Sequence, residues 1–386
     1  MRTKIITLLW LAIGITTYAQ QNDTDNTSSK SLLERVQDLE KRNEKFNVYF
    51  NFQSSFDAAD MGDGLETAFK ARQLRLEMRG NLTEKLFYRF RHRLNRSNAG
   101  QSLDNLSRAT DMMYAGYRVS DKLDVIFGKQ CQSWGGFEFD LNPMNIYEYS
   151  DFIEYMDNFM LGINFVIKPN PNHEFQIQIT DTRNSRFSDL YGNIPNIETS
   201  QSPLTYIVNW NGNLFGGLWQ TRWAAGLETE AKNNYSRMLT IGNKLNLSNF
   251  QLALDYMYAN QDIDRLGIAT EAADAYLVSV GETVFKDVEY NTLILKAEYQ
   301  PDEQWNIFAK GMYETTDVEN IAALGNNFRK SYGYFAGLEF KPFEEEDLRL
   351  FLVYVGRKYD FNTTSALADY NTNRISVGMM YRIKAF

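Results

Sequence analysis

LFYRFRHRL, residues Leu86–Leu94, decides the fold. At a period of two, Leu86, Tyr88, Phe90, His92 and Leu94 form one mostly apolar face, while Arg89, Arg91 and Arg93 stand in a row on the other. Side chains of a strand alternate between its two faces. Three adjacent guanidinium groups in a dry core would need matching anions, because an unpaired buried charge is prohibitively costly. The strand therefore wants lipid or core on one side and water on the other.

The same alternation runs from Phe46 to the C-terminus. Phe50 and Phe52 alternate with Asn51 and Gln53, Leu74, Leu76 and Met78 with Arg75, Glu77 and Arg79, and Phe175, Ile177 and Ile179 with Gln176 and Gln178. Leu350, Leu352 and Tyr354, then Ile375, Val377, Met379, Tyr381 and Ile383, continue the pattern. Short connections at 80–85, 119–122, 169–173, 211–216, 246–249, 301–304 and 341–347 fall between mostly longer ones at 57–68, 95–108, 129–159, 181–203, 228–234, 260–289, 314–330 and 360–373. Short turns on one rim, long loops on the other and an even strand count predict a transmembrane antiparallel β-barrel of about sixteen strands. A soluble β-sandwich would use loops of similar length at both ends.

The N-terminus reads differently. Residues 1–19 have a basic start (Arg2, Lys4), an apolar run and a small-x-small site at Thr17–Ala19, the pattern of a cleaved secretory signal peptide. Residues 20–31 are a polar, flexible leader. In 32–45, Leu32, Val36, Leu39 and Asn43 recur at alternating spacings of four and three. That is the seam of a short amphipathic helix, either packing on its own domain or linking subunits, with Asn43 fixing register. The barrel is expected over 46–386.

Composition narrows the function. The 386 residues include 40 basic and 49 acidic ones, and this acidity argues against nucleic acid as a partner. Cys131 is the single cysteine, so no intrachain disulfide forms. A mean hydropathy of −0.44 suits a barrel, in which lipid-facing and water-facing residues average out. Aromatics at 14% suit its interfacial girdles. Of two histidines, His92 falls on the lipid-facing parity and His173 in a short turn. Neither has a nucleophile–base arrangement or a metal-ligand cluster around it. No enzyme, no cofactor and no metal is expected.

The arginine-rich pair RQLRLEMRGNLTEKLFYRFRHRL, the segment DVIFGKQCQSWGGFEFD with its long loop, and the terminal strand RISVGMMYRIKAF together resemble the phosphate-selective porin O and P family over nearly all of Phe46–Phe386. The resemblance implies a homotrimeric sixteen-strand porin of the outer membrane, passing small anions. Its partners would be outer-membrane lipid and lipopolysaccharide, with the helix of 32–45 in the periplasm. The terminal strand departs from the usual ending, since Arg382 and Lys384 occupy the alternate positions counted back from Phe386.

Two features bear on selectivity. A simple register sets Arg75 near Arg91 and Glu77 near Arg89, so that Arg75, Arg79, Arg89, Arg91 and Arg93 line one wall of the lumen with Glu77 as their ion-pair partner. Such a wall attracts anions. Its alternative role is pairing with loop carboxylates and nothing more. The third long loop, 129–159, carries Asp140, Glu148, Asp151, Glu154 and Asp157 besides Glu138. In porin-like barrels this loop commonly folds inward. Facing the arginines, these acids would create a transverse field suited to general or sugar diffusion. On the outer rim, they would bind divalent cations or lipopolysaccharide. A non-conducting adhesion barrel is the third alternative.

Overall fold

The computed structural model describes residues 45–319 and 321–385. The signal peptide, the leader, the seam Leu32, Val36, Leu39 and Asn43, and Phe386 lie outside the described residues. Sixteen strands close into one barrel among the described residues. They are β1 (Asn47–Asp60), β2 (Leu65–Asn81), β3 (Leu86–Arg93), β4 (Thr110–Ser120), β5 (Leu123–Cys131), β6 (Phe159–Asn170), β7 (His173–Asp181) and β8 (Leu204–Leu214). The second half comprises β9 (Trp219–Ala231), β10 (Asn234–Asn246), β11 (Phe250–Ile263), β12 (Lys286–Tyr299), β13 (Trp305–Val318), β14 (Arg329–Phe340), β15 (Asp347–Phe361) and β16 (Tyr370–Lys384). Each pairs antiparallel with its sequence neighbours, and β1 pairs with β16, Tyr49 opposite Lys384 and Asp60 opposite Asn373. Closure leaves no sheet edge unpaired around the ring, the condition for crossing lipid.

The alternation sorts as the sequence predicts. Phe127 (70% exposed), Val208 (58%) and Val377 (54%) point outward, while Asn51, Gln53, Glu77, Gln178 and Gln220 are buried inside. An outer face this apolar fits lipid and not water.

Two connections on the long-loop rim are tight turns: 57–68, expected to be long, and 228–234, expected to be shorter than its class. In 57–68 the strands run on to Asp60 and from Leu65, and the Asp60 carboxylate accepts the N–H groups of Gly62 (2.9 Å) and Gly64 (3.3 Å) to close residues 61–64. In 228–234, β9 and β10 meet across residues 232–233, where Asn233 takes a positive φ of 61°. The polar, small-residue run before Asp60 hides its strand character, which is supplied by pairing with both β16 and β2.

The register of β2 on β3 also differs from the simple one. Arg75 stands opposite Arg93, Glu77 opposite Arg91 and Arg79 opposite Arg89. The turn is centred one residue later, on Glu84, and the Thr83 hydroxyl braces it by accepting the N–H groups of Lys85 (3.2 Å) and Leu86 (2.9 Å). A shift of two residues keeps every side chain on its own face.

Much of the barrel's far side is filled. Lumen-facing Met238, Met257, Ile294, Phe308, Met312, Phe335, Phe351 and Val353 belong to one apolar cluster with Trp134, Phe139, Met144, Phe152 and Ile153 of the third long loop. Leu266, Ile268, Leu277 and Phe285 from residues 264–285 join it. Burying side chains of this size stabilises by roughly 1.5–3 kcal/mol each. The aqueous lumen is thereby pushed toward β1–β4.

Candidate functional site

The wall begins with Arg75, Arg79, Arg89 and Arg91, all buried on the lumen side, and Arg93 nearer the long-loop rim. Two carboxylates serve all five. Glu77 accepts from Arg89 (3.1 Å from Nε, 3.0 Å from Nη2) and lies 3.5 Å from Arg79. Asp111 lies 3.0 Å from Arg91, 2.6 Å from Arg93 and 3.7 Å from Arg75. Strict alternation would turn Asp111 outward, since Met112 faces in. A bulge between Arg91 and His92 inserts it as the extra residue of β4 and re-aims it inward. A second bulge, at Gln53/Ser54, does the same for Arg72, whose guanidinium bonds Ser55 (2.9 Å) and Asp57 (2.5 Å). Below the wall, Tyr49 lies between Arg79 (4.7 Å) and Arg382 (4.4 Å) in a double cation–π contact.

The third long loop folds into the lumen. Gly135 and Gly136, at φ 71° and 83°, turn the chain inward against β9, where a Cβ on Gly135 would come within 2.9 Å of the Arg222 carbonyl. Trp134 then lies on Gly226, whose own Cβ would sit 2.5 Å from the indole ring. Two short helices follow, α1 (Phe137–Asp140) and α2 (Asp151–Tyr155). Each has its first N–H groups held by a strand carboxylate. Asp255 of β11 accepts from Phe137 and Glu138 (2.8 Å each), and Glu314 of β13 accepts from Asp151 (3.0 Å) and Phe152 (3.1 Å). Charge-assisted acceptors at a helix start satisfy donors that the helix itself leaves open.

Most of the loop acids pair with cations outside the wall. Asp140 pairs with Arg222 (2.8 Å), Glu148 with Arg374 (2.9 Å), Asp151 with Arg329 and Arg357 (2.5 Å each), Asp157 with Arg265 (3.0 Å), and Glu138 with Lys310 (2.7 Å). Glu148, Asp151 and Asp157 line the space facing the wall while paired in this way, and Glu154 lines it with Arg96 and Arg93 acting on it. The enclosing lumen withdraws water from its carboxyl and raises its pKa above the ordinary range. Arg96 and Arg93 oppose this, and Glu148 and Asp151 add to the rise. For Asp151 burial pulls upward too, but Arg357 and Arg329 outweigh it and hold the carboxyl below its ordinary value.

Between wall and loop lies a cavity of 1310 Å³, lined by Gln53, Arg75, Arg93, Asp111, Tyr149 and Glu154 among others. Ten basic and five acidic side chains line it. Counting Asp57, Asp104 and Glu314, which stand behind it on Arg72, Lys129 and Arg357, two positive charges remain in surplus. Arg329, Arg357 and Arg374 on β14–β16 belong to this surface and were not singled out from sequence. Around them Val353 and Val355 face in while Leu352 and Tyr354 face out, so hydropathy does not separate the two faces there.

Solved structures share this architecture. The outer membrane channel DcaP of Acinetobacter baumannii superposes with a TM-score of 0.62 at 11% identity, covering 88% of this chain and 97% of that one. An anion-selective porin from Comamonas acidovorans gives 0.58 at 10%, covering 88% and 99%. The trimer form of OmpT of Vibrio cholerae gives 0.55 at 10%, covering 88% and 100%. At such identities the likeness is one of fold. A comparison with curated proteins returns no match. Residues 46–383, nearly the whole barrel, match the family model for phosphate-selective porin O and P. With its closed sixteen-strand ring, apolar outer face and inward third loop, the chain belongs to the phosphate-selective porin O and P family and is a porin of the bacterial outer membrane.

Proposed function

We propose that this porin passes small anions, phosphate among them, through an off-centre constriction between the arginine wall and the third long loop. The observation that carries this is the surplus of positive charge around the 1310 Å³ cavity in a chain whose formal net charge is −9. A cavity of one sign between low-dielectric walls concentrates ions of the other. Arg75, Arg79, Arg89, Arg91 and Arg93 form the cationic wall, with Glu77 and Asp111 moderating their mutual repulsion. As a member of a porin family the chain works by passage, not catalysis.

The test is the reversal potential of the refolded protein in a planar bilayer across a KCl gradient. A potential of chloride sign is expected, and one of potassium sign overturns the reading. The general-diffusion alternative needs loop acids facing the wall. Glu154 supports it, whereas Glu148, Asp151 and Asp157, which line the same cavity, and Asp140 are paired with other cations. A folded protein giving no single-channel current would favour an adhesion or envelope role.

The assembly is proposed as a homotrimer in outer-membrane lipid and lipopolysaccharide, as the trimer form of the Vibrio porin suggests by likeness of fold. Residues 1–19 are proposed as a cleaved signal peptide and 20–31 as a leader. The segment 32–45 is proposed as a periplasmic helix with its seam at Leu32, Val36, Leu39 and Asn43. Removing residues 20–44 is expected to leave conductance per pore intact and to lower the temperature at which oligomers dissociate in gel electrophoresis.

A further inference from the structure

The cavity between wall and loop is not lined by charge alone. Arginines occupy its β2–β4 side, while elsewhere its lining carries apolar groups that stay open to water. Tyr155, the last residue of α2, is 40% exposed, Leu190 of the fourth long loop 42%, and Tyr370 at the start of β16 45%. Met156 is half-buried beside Tyr155. All four line the 1310 Å³ space. Tyr370 stacks on Tyr359 (4.4 Å between ring centres), whose ring lies 4.9 Å from the Arg329 guanidinium and 5.3 Å from that of Arg357. The interior of a water-filled barrel is ordinarily polar. Apolar and aromatic groups left open around a cavity, beside a few charged ones, are the make-up of a site for an organic solute.

The two kinds of lining meet at the third long loop. Phe159, the first residue of β6, lies under Arg91 (5.2 Å) and Arg93 (5.8 Å). Glu154, the residue before Tyr155, lies within the fields of Arg96 and Arg93. Arg96 is exposed, and Arg93, bonded to Asp111 through Nε, keeps 25% of its side chain exposed. An entering carboxylate would share these two arginines with Glu154. Chloride or inorganic phosphate gains from the arginines and nothing from Tyr155, Met156 or Leu190. A neutral arene gains from the apolar groups and nothing from the charge. A solute with a carboxylate at one end and an aromatic ring at the other gains from both. Its carboxylate takes the fork of a guanidinium, and its ring meets the tyrosine faces and the methionine sulfur. The cavity exceeds the roughly 300–1,000 Å³ of ordinary small-molecule sites, so such a solute enters with part of its water. Resting on the anion reading above, we propose that this constriction takes aromatic carboxylates in preference to small anions without an apolar body. Arg93 and Arg96 receive the carboxylate, and Tyr155, Met156 and Leu190 receive the ring.

The experiment records chloride current through single full-length channels at neutral pH while benzoate, acetate or benzyl alcohol is added. Covering one face of a ring against apolar side chains corresponds to roughly tenfold in apparent affinity. Benzoate is therefore expected to block at a concentration about tenfold below that of acetate, with no block by benzyl alcohol over the same range. In the double variant Tyr155→Ser/Met156→Ser the ratio of the two carboxylates falls toward one while block by acetate persists. The single variant Leu190→Ser, at an exposed loop position, gives an intermediate ratio and guards against misassembly of the double one. Equal block by benzoate and acetate in the native channel, block by benzyl alcohol matching that by benzoate, or an unaltered ratio in both variants overturns the proposal. A reversal potential of potassium sign removes the anion reading beneath it. Chloride preference with equal block by the two carboxylates removes this inference alone.

Discussion

Glu77 accepts from Arg89 and neighbours Arg79 while wholly enclosed, so it holds much of the wall's lower half together. Glu77→Gln is expected to cost about 3 kcal/mol, because breaking a buried pair leaves its arginines uncompensated. Urea unfolding in detergent measures the loss. The same variant should shift the reversal potential further toward chloride, since one negative charge leaves the wall. Arg75→Ala should shift it the other way. Which side chains face the lumen was legible wherever alternation is regular, as in Arg89, Arg91 and Arg93. It was not legible for Asp111 or Arg72, because a bulge adds one residue and reverses the parity, and no residue type announces it. Asp111 had a faint signal: a carboxylate near the start of β4, the strand paired with the one that carries three arginines.

The third long loop behaves as an anchored element. Asp255 and Glu314 hold the starts of α1 and α2, and each set of charged hydrogen bonds contributes about 1.5–3 kcal/mol. Asp255→Asn and Glu314→Gln should therefore loosen the loop. The expected readout is increased flicker in single-channel current with unchanged assembly into the membrane. Acidity acts on the loop in two opposite ways. Glu154 has a raised folded pKa, so the native state binds its proton more tightly than the unfolded chain does. As pH falls toward the ordinary glutamate range, Glu154 becomes neutral first, which favours the folded loop and adds to the positive surplus. Chloride preference should rise over that window, and Glu154→Gln should abolish the rise. Asp151 is the reverse case. Its lowered pKa gives stability that is present above the ordinary aspartate range and lost as pH falls through the folded value. The presence of this loop was legible from its length and acids. Its anchors were not, since Arg222, Arg329, Arg357 and Arg374 come from four strands and Arg265 from the connection after a fifth, all far apart in sequence.

For the whole molecule, the strand count and the two-rim connectivity followed from segment length and period alone. The closed ring needs an even number of strands with both ends on one side, and sixteen segments meet that condition. The loop at 57–68 was misjudged because strand ends that lack apolar residues are defined by their partners and not by their own composition. Selectivity that rests on a surplus of fixed charge is screened by salt. The Debye length falls from about 10 Å at 0.1 M to about 3 Å at 1 M. The ratio of chloride to potassium permeability should accordingly fall several-fold between those salt concentrations. A binding-limited pore would show saturating conductance instead.

The lopsided filling of the barrel has a genetic consequence. Water runs along β1–β4 and the long-loop ends of β14–β16, while the apolar inner positions of β10–β13 pack against the loop. Inward substitutions in a random library should sort by strand. Those on β1–β4 should yield cells with altered solute uptake and normal amounts of protein. Those at Met238, Met257, Ile294, Phe308 or Met312 should deplete the protein from the membrane and leave the uptake of each surviving copy near normal. A selection for changed permeability would thus recover variants from one arc of the barrel, and a screen for envelope stress would recover them from the other.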